Sequence, residues 1–244
     1  VIVPAGTSPA AALPDLASTE RTRLGRMRKR GTPDRAVLNG ILAAGFLCHL
    51  GVVVDGHPMV VPTVYGATGD TLYFHGSVAS PSLWSSPATE VCVTVSHLDG
   101  IVLARSVFEH GINYRSAMIF GVPRLIADPD EKLDGLRCLS EQVARGQWGY
   151  ARLPSRKELA ATTVLAMSLA EASVKVRVGP PDDGDSADAA EGRWAGVVPI
   201  RSVRDEPVPD PALPATEMPV PDHIQALANN AGSGRDRLQC ECGC

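Results

Sequence analysis

Three short stretches hold side chains suited to gripping an anionic ligand: HGSVAS at 75–80, LARS at 103–106 and EHGINYRS at 109–116. In the first, Leu72, Tyr73 and Phe74 favour a pleated strand, whereas Gly76, Ser77, Ser80 and Ser82 cannot extend it. A strand therefore ends in a histidine and a cluster of hydroxyls, where backbone N–H groups and small polar side chains lie open to a phosphate or carboxylate. In the third, Arg115 supplies a planar cation, and Asn113, Tyr114 and Ser116 surround it with neutral donors. That set suits a phosphate monoester. A Gly/Ser turn and a surface arginine are also common without any ligand, so the pattern alone leaves both readings open.

The chain has no P-loop glycine–lysine motif, no strand-GxGxxG-helix and no CxxC pair, which disfavours a nucleoside triphosphatase, a Rossmann fold and a zinc ribbon. Its net charge of −4 offers no overall attraction to nucleic acid or acidic membranes. Charge is nevertheless uneven: Glu20 to Arg35 carries seven basic residues against two acidic, and Pro180 to Glu217 nine acidic against three basic. No apolar run reaches about 18 residues, and the N-terminal stretch lacks the charged start of a signal peptide, so a soluble cytoplasmic protein is expected. Cys48, Cys92 and Cys138 lie singly in apolar segments and read as reduced core residues. The terminal CECGC places three thiols in a polar tail with no fourth ligand in reach, so no metal site is expected.

The elements that must position these groups are mostly strands. With 44% hydrophobic residues, 5% aromatics, 23 glycines and 20 prolines, the chain is rich in turns and short strands. Thr32 as N-cap and Pro33 at the first helical position open a helix with Val37, Leu38, Ile41 and Leu42 on one face. Strands are expected at 46–54, 59–65, 71–75, 90–97 and 101–107, with turns at DGHP, ATGD and Asp99-Gly100. A further strand at 115–127 leads to a helix capped at Asp128 and Glu131, whose buried face holds Leu133, Leu136, Leu139 and Val143. A second capping box spans Ser155 to Glu158. Strands follow at 163–169 and 172–178, and a last element at 193–200 comes after a loop, GPPDDGDSADAAEG, that is mobile and acidic by composition. The fold expected is mainly β (α+β): a six-stranded antiparallel split β-barrel with a few peripheral helices. A flexible basic arm (1–30) precedes this body (31–206), and a tail without regular structure (207–244) follows it.

In the order GTPDRAVLNGIL, CHLGVVVDGHPMVVPTVYG, DTLYFHGSVAS, VTVSHLDGIVLARSVFEHGINYRSAMIFG, ATTVLAMSLAEASVKVRVGPP and WAGVVPI, about three quarters of the chain resembles the pyridoxamine 5'-phosphate oxidase-like superfamily. The likeness is to its flavin-nucleotide-binding, Nim-like branch of FMN-binding split barrels. The resemblance implies a homodimer with FMN at the subunit interface, small-molecule oxidoreductase chemistry and an external electron donor. It implies phosphate contacts from residues like Ser77, Ser80, Asn113 and Arg115, a ring facing Val61, Pro62 and Thr63, and His75 beside the flavin in a catalytic or structural part. Gly76, Arg105, Tyr114, Ser116, Lys175 and Trp194 complete the cofactor-binding set it implies. Glu109 and Gly111 stand where the branch has a histidine and a serine, and Glu109 must pair with Arg105 or Arg115 or turn away from a bound phosphate. The same fold also admits a flavin or haem carrier without turnover. Nucleic acid is an unlikely partner, since the basic arm has no aromatic residue to stack on bases.

Overall fold

The computed structural model describes residues 14–77, 89–213 and 218–229. Ten strands form one antiparallel sheet: β1 (Gly31–Thr32), β2 (Leu47–Val54), β3 (His57–Thr68), β4 (Thr71–Ser77), β5 (Val91–Leu103), β6 (Gly111–Gly121), β7 (Arg124–Leu125), β8 (Thr162–Ser168), β9 (Ala172–Arg177) and β10 (Gly196–Pro199). They run in the order β1-β9-β6-β5-β2-β3-β4-β8-β7, with β10 pairing onto β5. Helices α1 (Arg35–Ala43), α2 (Pro129–Val143), α3 (Gln147–Tyr150), α4 (Arg156–Ala161) and α5 (Asp222–Asn229) surround the sheet. The strands expected at 90–97 and 101–107 are one, β5, and the last element at 193–200 holds β10; β1 and β7, two residues each, are too short to carry an alternation pattern, and they help take the sheet from the six strands expected of the barrel to ten. Among the described residues no helix is long and apolar enough to cross a membrane.

Local chemistry explains most boundaries and corrects several. Asp55 and Gly56 both take positive φ, 50° and 79°, the geometry of a tight hairpin turn that matches strand twist, and so β2 folds back onto β3. Asp34, not Thr32, caps α1, accepting from the Ala36 N–H at 2.8 Å; Thr32 is already paired with Val174 in β1. Asp99-Gly100 is no hairpin turn. The β5–β6 ladder continues on both sides of it, from His97↔Arg115 to Gly100↔Asn113, so the two expected strands are one with a bulge. In α2, Asp128 accepts from Glu131 N–H, but the Glu131 carboxylate pairs with Arg124 and the capping box stays half made. Ser155 and Glu158 complete theirs, and bonds from Arg152 and from Ser155 hold the Glu158 pKa down at about 2. Val143 is exposed, leaving Leu139 and Gly135 as the buried contacts of α2.

Leu38, Ile41 and Leu42 of α1 pack into a core with Leu50, Tyr65, Leu72, Phe74, Val93, Ile119 and Leu165, all 2% exposed or less. The body begins ahead of residue 31. Leu16 lies in this core at 6% exposure, and its N–H donates to Pro33 O. Beyond Pro207 the tail is not wholly irregular, because α5 forms and His223 bonds Gln147 at 2.9 Å. Cys48, Cys92 and Cys138 are free thiols, the first buried and pushed up to about pKa 12 by that burial. The CECGC end lies outside the described residues.

Candidate functional site

Two long strands part where the first group of expected residues lies. β3 pairs with β2 from His57 to Val64 and with β4 only from Tyr65 to Thr68, its last register being Tyr65↔Phe74. β4 continues to Ser77 against β8, with His75↔Val164, Gly76↔Thr163 and Ser77↔Thr162. Beyond Phe74 the two strands are no longer bonded, so Val61, Pro62 and Thr63 flank one side of a split and His75, Gly76 and Ser77 the other. Ser80 lies outside the described residues. His75 Nδ1 is buried and has no hydrogen-bond partner among the described residues, and burial lowers its pKa. The imidazole is neutral near pH 7, with a nitrogen left unpartnered.

The second group sits on β6, where side chains alternate between two faces. Asn113 is buried, donating to Gly179 O at 3.1 Å and accepting from Arg177 Nη1 at 2.8 Å. Arg115 is gripped by Asp99 through two bonds of 2.9 and 2.8 Å. Its fork thus faces a protein carboxylate, and that pairing raises its pKa. Arg105 is held in the same way by Asp183, which accepts from its Nη1 at 2.8 Å and its backbone N–H at 2.6 Å. Asp183 is 3% exposed, so the acidic loop read as mobile is pinned at this residue. With both arginines taken by aspartates, Glu109 has no ion pair among the described residues. Trp194 is 67% exposed over Gly196.

Tyr114 and Ser116 point to the other face and line a groove of about 290 Å³ with Ser96, His97, Leu98 and Ile112. Lys175 stands opposite Ser116 in the ladder, and Ser116 opposite Ser96, so two hydroxyls and an ammonium form a row across β5, β6 and β9. Lys175 has no ion pair among the described residues. Residues that sequence reading missed here are Ser96, His97, Asp99 and Asp183; only the alternation of VSHLDG along β5 marked any of them. β6 and β3 are separated by β5 and β2, a span of roughly 14 Å across the sheet. The split and the groove are separate places on one chain.

Residues 34–176 match the family described as pyridoxamine 5'-phosphate oxidase. The chain belongs to this family. It is similar to the flavocytochrome Anf3 from Azotobacter vinelandii, at 39% identity over 88% of this chain and 99% of that one, with a TM-score of 0.82. It is similar also to the FAD and haem binding protein from Mycobacterium smegmatis, at 37% identity over 82% and 97%, with a TM-score of 0.78. A Bacteroides thetaiotaomicron protein classed with 5-nitroimidazole antibiotic resistance, 23% identical over 60% and 86% at a TM-score of 0.51, shares the fold. No curated protein matches the chain. The fold is that of the pyridoxamine 5'-phosphate oxidase-like split barrels.

Proposed function

We propose that the chain is a flavin-dependent redox protein that works as a homodimer, each flavin lying between the β3/β4 split of one copy and the β5/β6 groove of the other. The observation that carries this reading is the division of the expected cofactor residues into two half-sites that one chain does not join. Val198, Ile101 and Ile112 form a cross-strand row, each between 42% and 46% exposed, beside Leu98 at 47%. An apolar row of this kind, continuous with the groove, is a surface for a second copy.

The residues fit a flavin nucleotide. Val61, Pro62 and Thr63 offer an edge for a flat ring, and Lys175 with the Ser96 and Ser116 hydroxyls offers an uncommitted cation and donors for phosphate. Arg115 and Asn113 are occupied by Asp99, Arg177 and Gly179, so Lys175 takes the anchoring part first expected of Arg115. A bound flavin supplies hydride or single-electron transfer. The protein's part is to orient the ring, exclude water and hold the phosphate, and His75 presents a neutral nitrogen at the edge of the split. A similar protein binds FAD, and the resemblance named FMN, so the test is direct: the absorption spectrum of the purified protein shows a flavin, and chromatography of the released cofactor says which one.

A second reading adds haem, because the similar Mycobacterium smegmatis protein is described as binding it, because the Azotobacter vinelandii protein is described as a flavocytochrome, and because of the state of His75. Among the described histidines, His97 bonds Ile41 O, His110 accepts from the Ala104 N–H, and His223 bonds Gln147. His49 and His57 lie at the surface. His75 alone has a buried ring nitrogen without a partner, and it would be the residue to hold a haem iron. A Soret band in the purified protein supports this reading, and its absence after haem is supplied rejects it.

A further inference from the structure

The ten residues Arg21 to Arg30, RTRLGRMRKR, carry six basic side chains and no acidic one in a chain of net charge −4. Arg21 is taken by Glu90 and Glu171, and Arg30 lies 3.4 Å from Asp182. Arg23, Arg26, Arg28 and Lys29 are exposed and have no ion pair among the described residues. Their turn is nevertheless fixed in place. Met27 takes a left-handed backbone, φ 55°, which L side chains adopt only under constraint, and its carbonyl accepts from the Arg30 N–H at 2.9 Å. Gly31 N–H closes on Arg28 O, and β1 then joins the turn to β9 with Gly31 opposite Lys175. Lys175 faces Ser116 across the next ladder, so Gly31, where the turn ends, stands roughly 10 Å, two strand spacings, from Ser116 in the groove.

We propose that this turn is the docking surface for a small acidic electron-transfer protein that serves the redox site; the proposal rests on the flavin reading above. Each encounter passes one electron from the partner, which is oxidised, to the cofactor site, which is reduced. No covalent bond forms or breaks, and water supplies the charge-balancing proton. Charge complementarity selects the partner. Like charges held together on a rigid exposed turn raise the rate of encounter with an oppositely charged surface, and transient electron-transfer complexes rely on this more than on buried area. None of the six cations lines the groove of Ser96, Tyr114 and Ser116, so the set suits a broad surface better than a small anion. No aromatic residue lies between 14 and 34, which removes the stacking a single-stranded nucleic acid needs.

The test uses the full chain loaded with flavin and the variant Arg23→Glu/Arg26→Glu/Lys29→Glu, whose three side chains make no hydrogen bond among the described residues. Oxidised plant-type ferredoxin, an acidic iron–sulfur protein, is the probe. Calorimetry reads docking whether or not flavin is bound, stopped-flow mixing with reduced ferredoxin reads electron transfer, and photoreduced 5-deazariboflavin, a neutral reductant, reads the cofactor site alone. The expected result is a binding constant and a transfer rate that fall about tenfold or more in the variant and likewise between about 20 and 300 mM salt. Reduction by deazariboflavin stays unchanged. Equal ferredoxin binding by variant and native chain, no binding at low salt, or tighter binding to a single-stranded oligonucleotide or to phosphatidylserine vesicles overturns the proposal. If deazariboflavin finds nothing to reduce, the flavin reading fails, and the calorimetric arm still decides the docking.

Discussion

His75 is held in one protonation state by its surroundings, and that makes it the most informative side chain in the site. Burial lowers its folded-state pKa from the ordinary value of 6.5, whereas the unfolded chain titrates normally. The unfolded chain therefore binds the extra proton first: the stability due to neutral His75 is fully present above about pH 6.5 and is lost as pH falls toward the folded value. Urea unfolding midpoints should drop below that pH in the native chain and drop less in His75→Leu. If haem is bound, His75→Ala should remove the Soret band and leave the flavin spectrum, a split that a purely structural histidine does not produce. Lys175→Ala removes a charge-assisted contact of roughly 1.5 to 3 kcal/mol and should weaken flavin binding by about one to two decades. Arg115→Ala should weaken it less, since its fork is spent on Asp99 at the β5 bulge. A flavin titration that ranks the two variants the other way would return the anchoring part to Arg115.

At the scale of elements, the site depends on where β3 lets go of β4, and the contacts that fix β3 are close. Gly66 packs so tightly under α2 that a Cβ there would lie 2.7 to 2.8 Å from backbone atoms of Cys138 and Leu139. Gly66→Ala must push the helix off the sheet, at a cost of about 2 kcal/mol, and a urea titration with no shift of midpoint would show that α2 yields freely. The sequence made the strands and the Asp55-Gly56 hairpin legible because those signals are local. It also placed Val61 to Thr63 and His75 on neighbouring strands, but Gly76 and Ser77, read as ending theirs, continue β4 because β8 pairs with them. The partners of the arginines were not legible: Asp183 reaches Arg105 across 78 residues, and Asp99 reads as a turn residue until the ladder carries the chain past it. A carboxylate's choice among several arginines is a tertiary fact that no local pattern contains.

At the scale of the molecule, the proposed homodimer rests on the apolar row of Val198, Ile101 and Ile112 and on the separation of the split from the groove. Flavin that binds only the assembled pair stabilises it by mass action, so the thermal midpoint should rise with flavin concentration and with protein concentration; a midpoint blind to both would argue for a monomer. The claim that each site is shared between copies has a sharper test in mixed dimers. Gly76→Trp fills the β3/β4 split, and Lys175→Glu repels phosphate from the groove, so neither variant should hold flavin alone although each folds by circular dichroism. Co-refolded in equal amounts, half of the dimers are mixed, and each has one site with both halves intact. Titration of the mixture should recover about one quarter of the native number of flavin sites. Recovery of none, with mixed dimers shown to form, would place both halves of the site on a single chain and contradict the account.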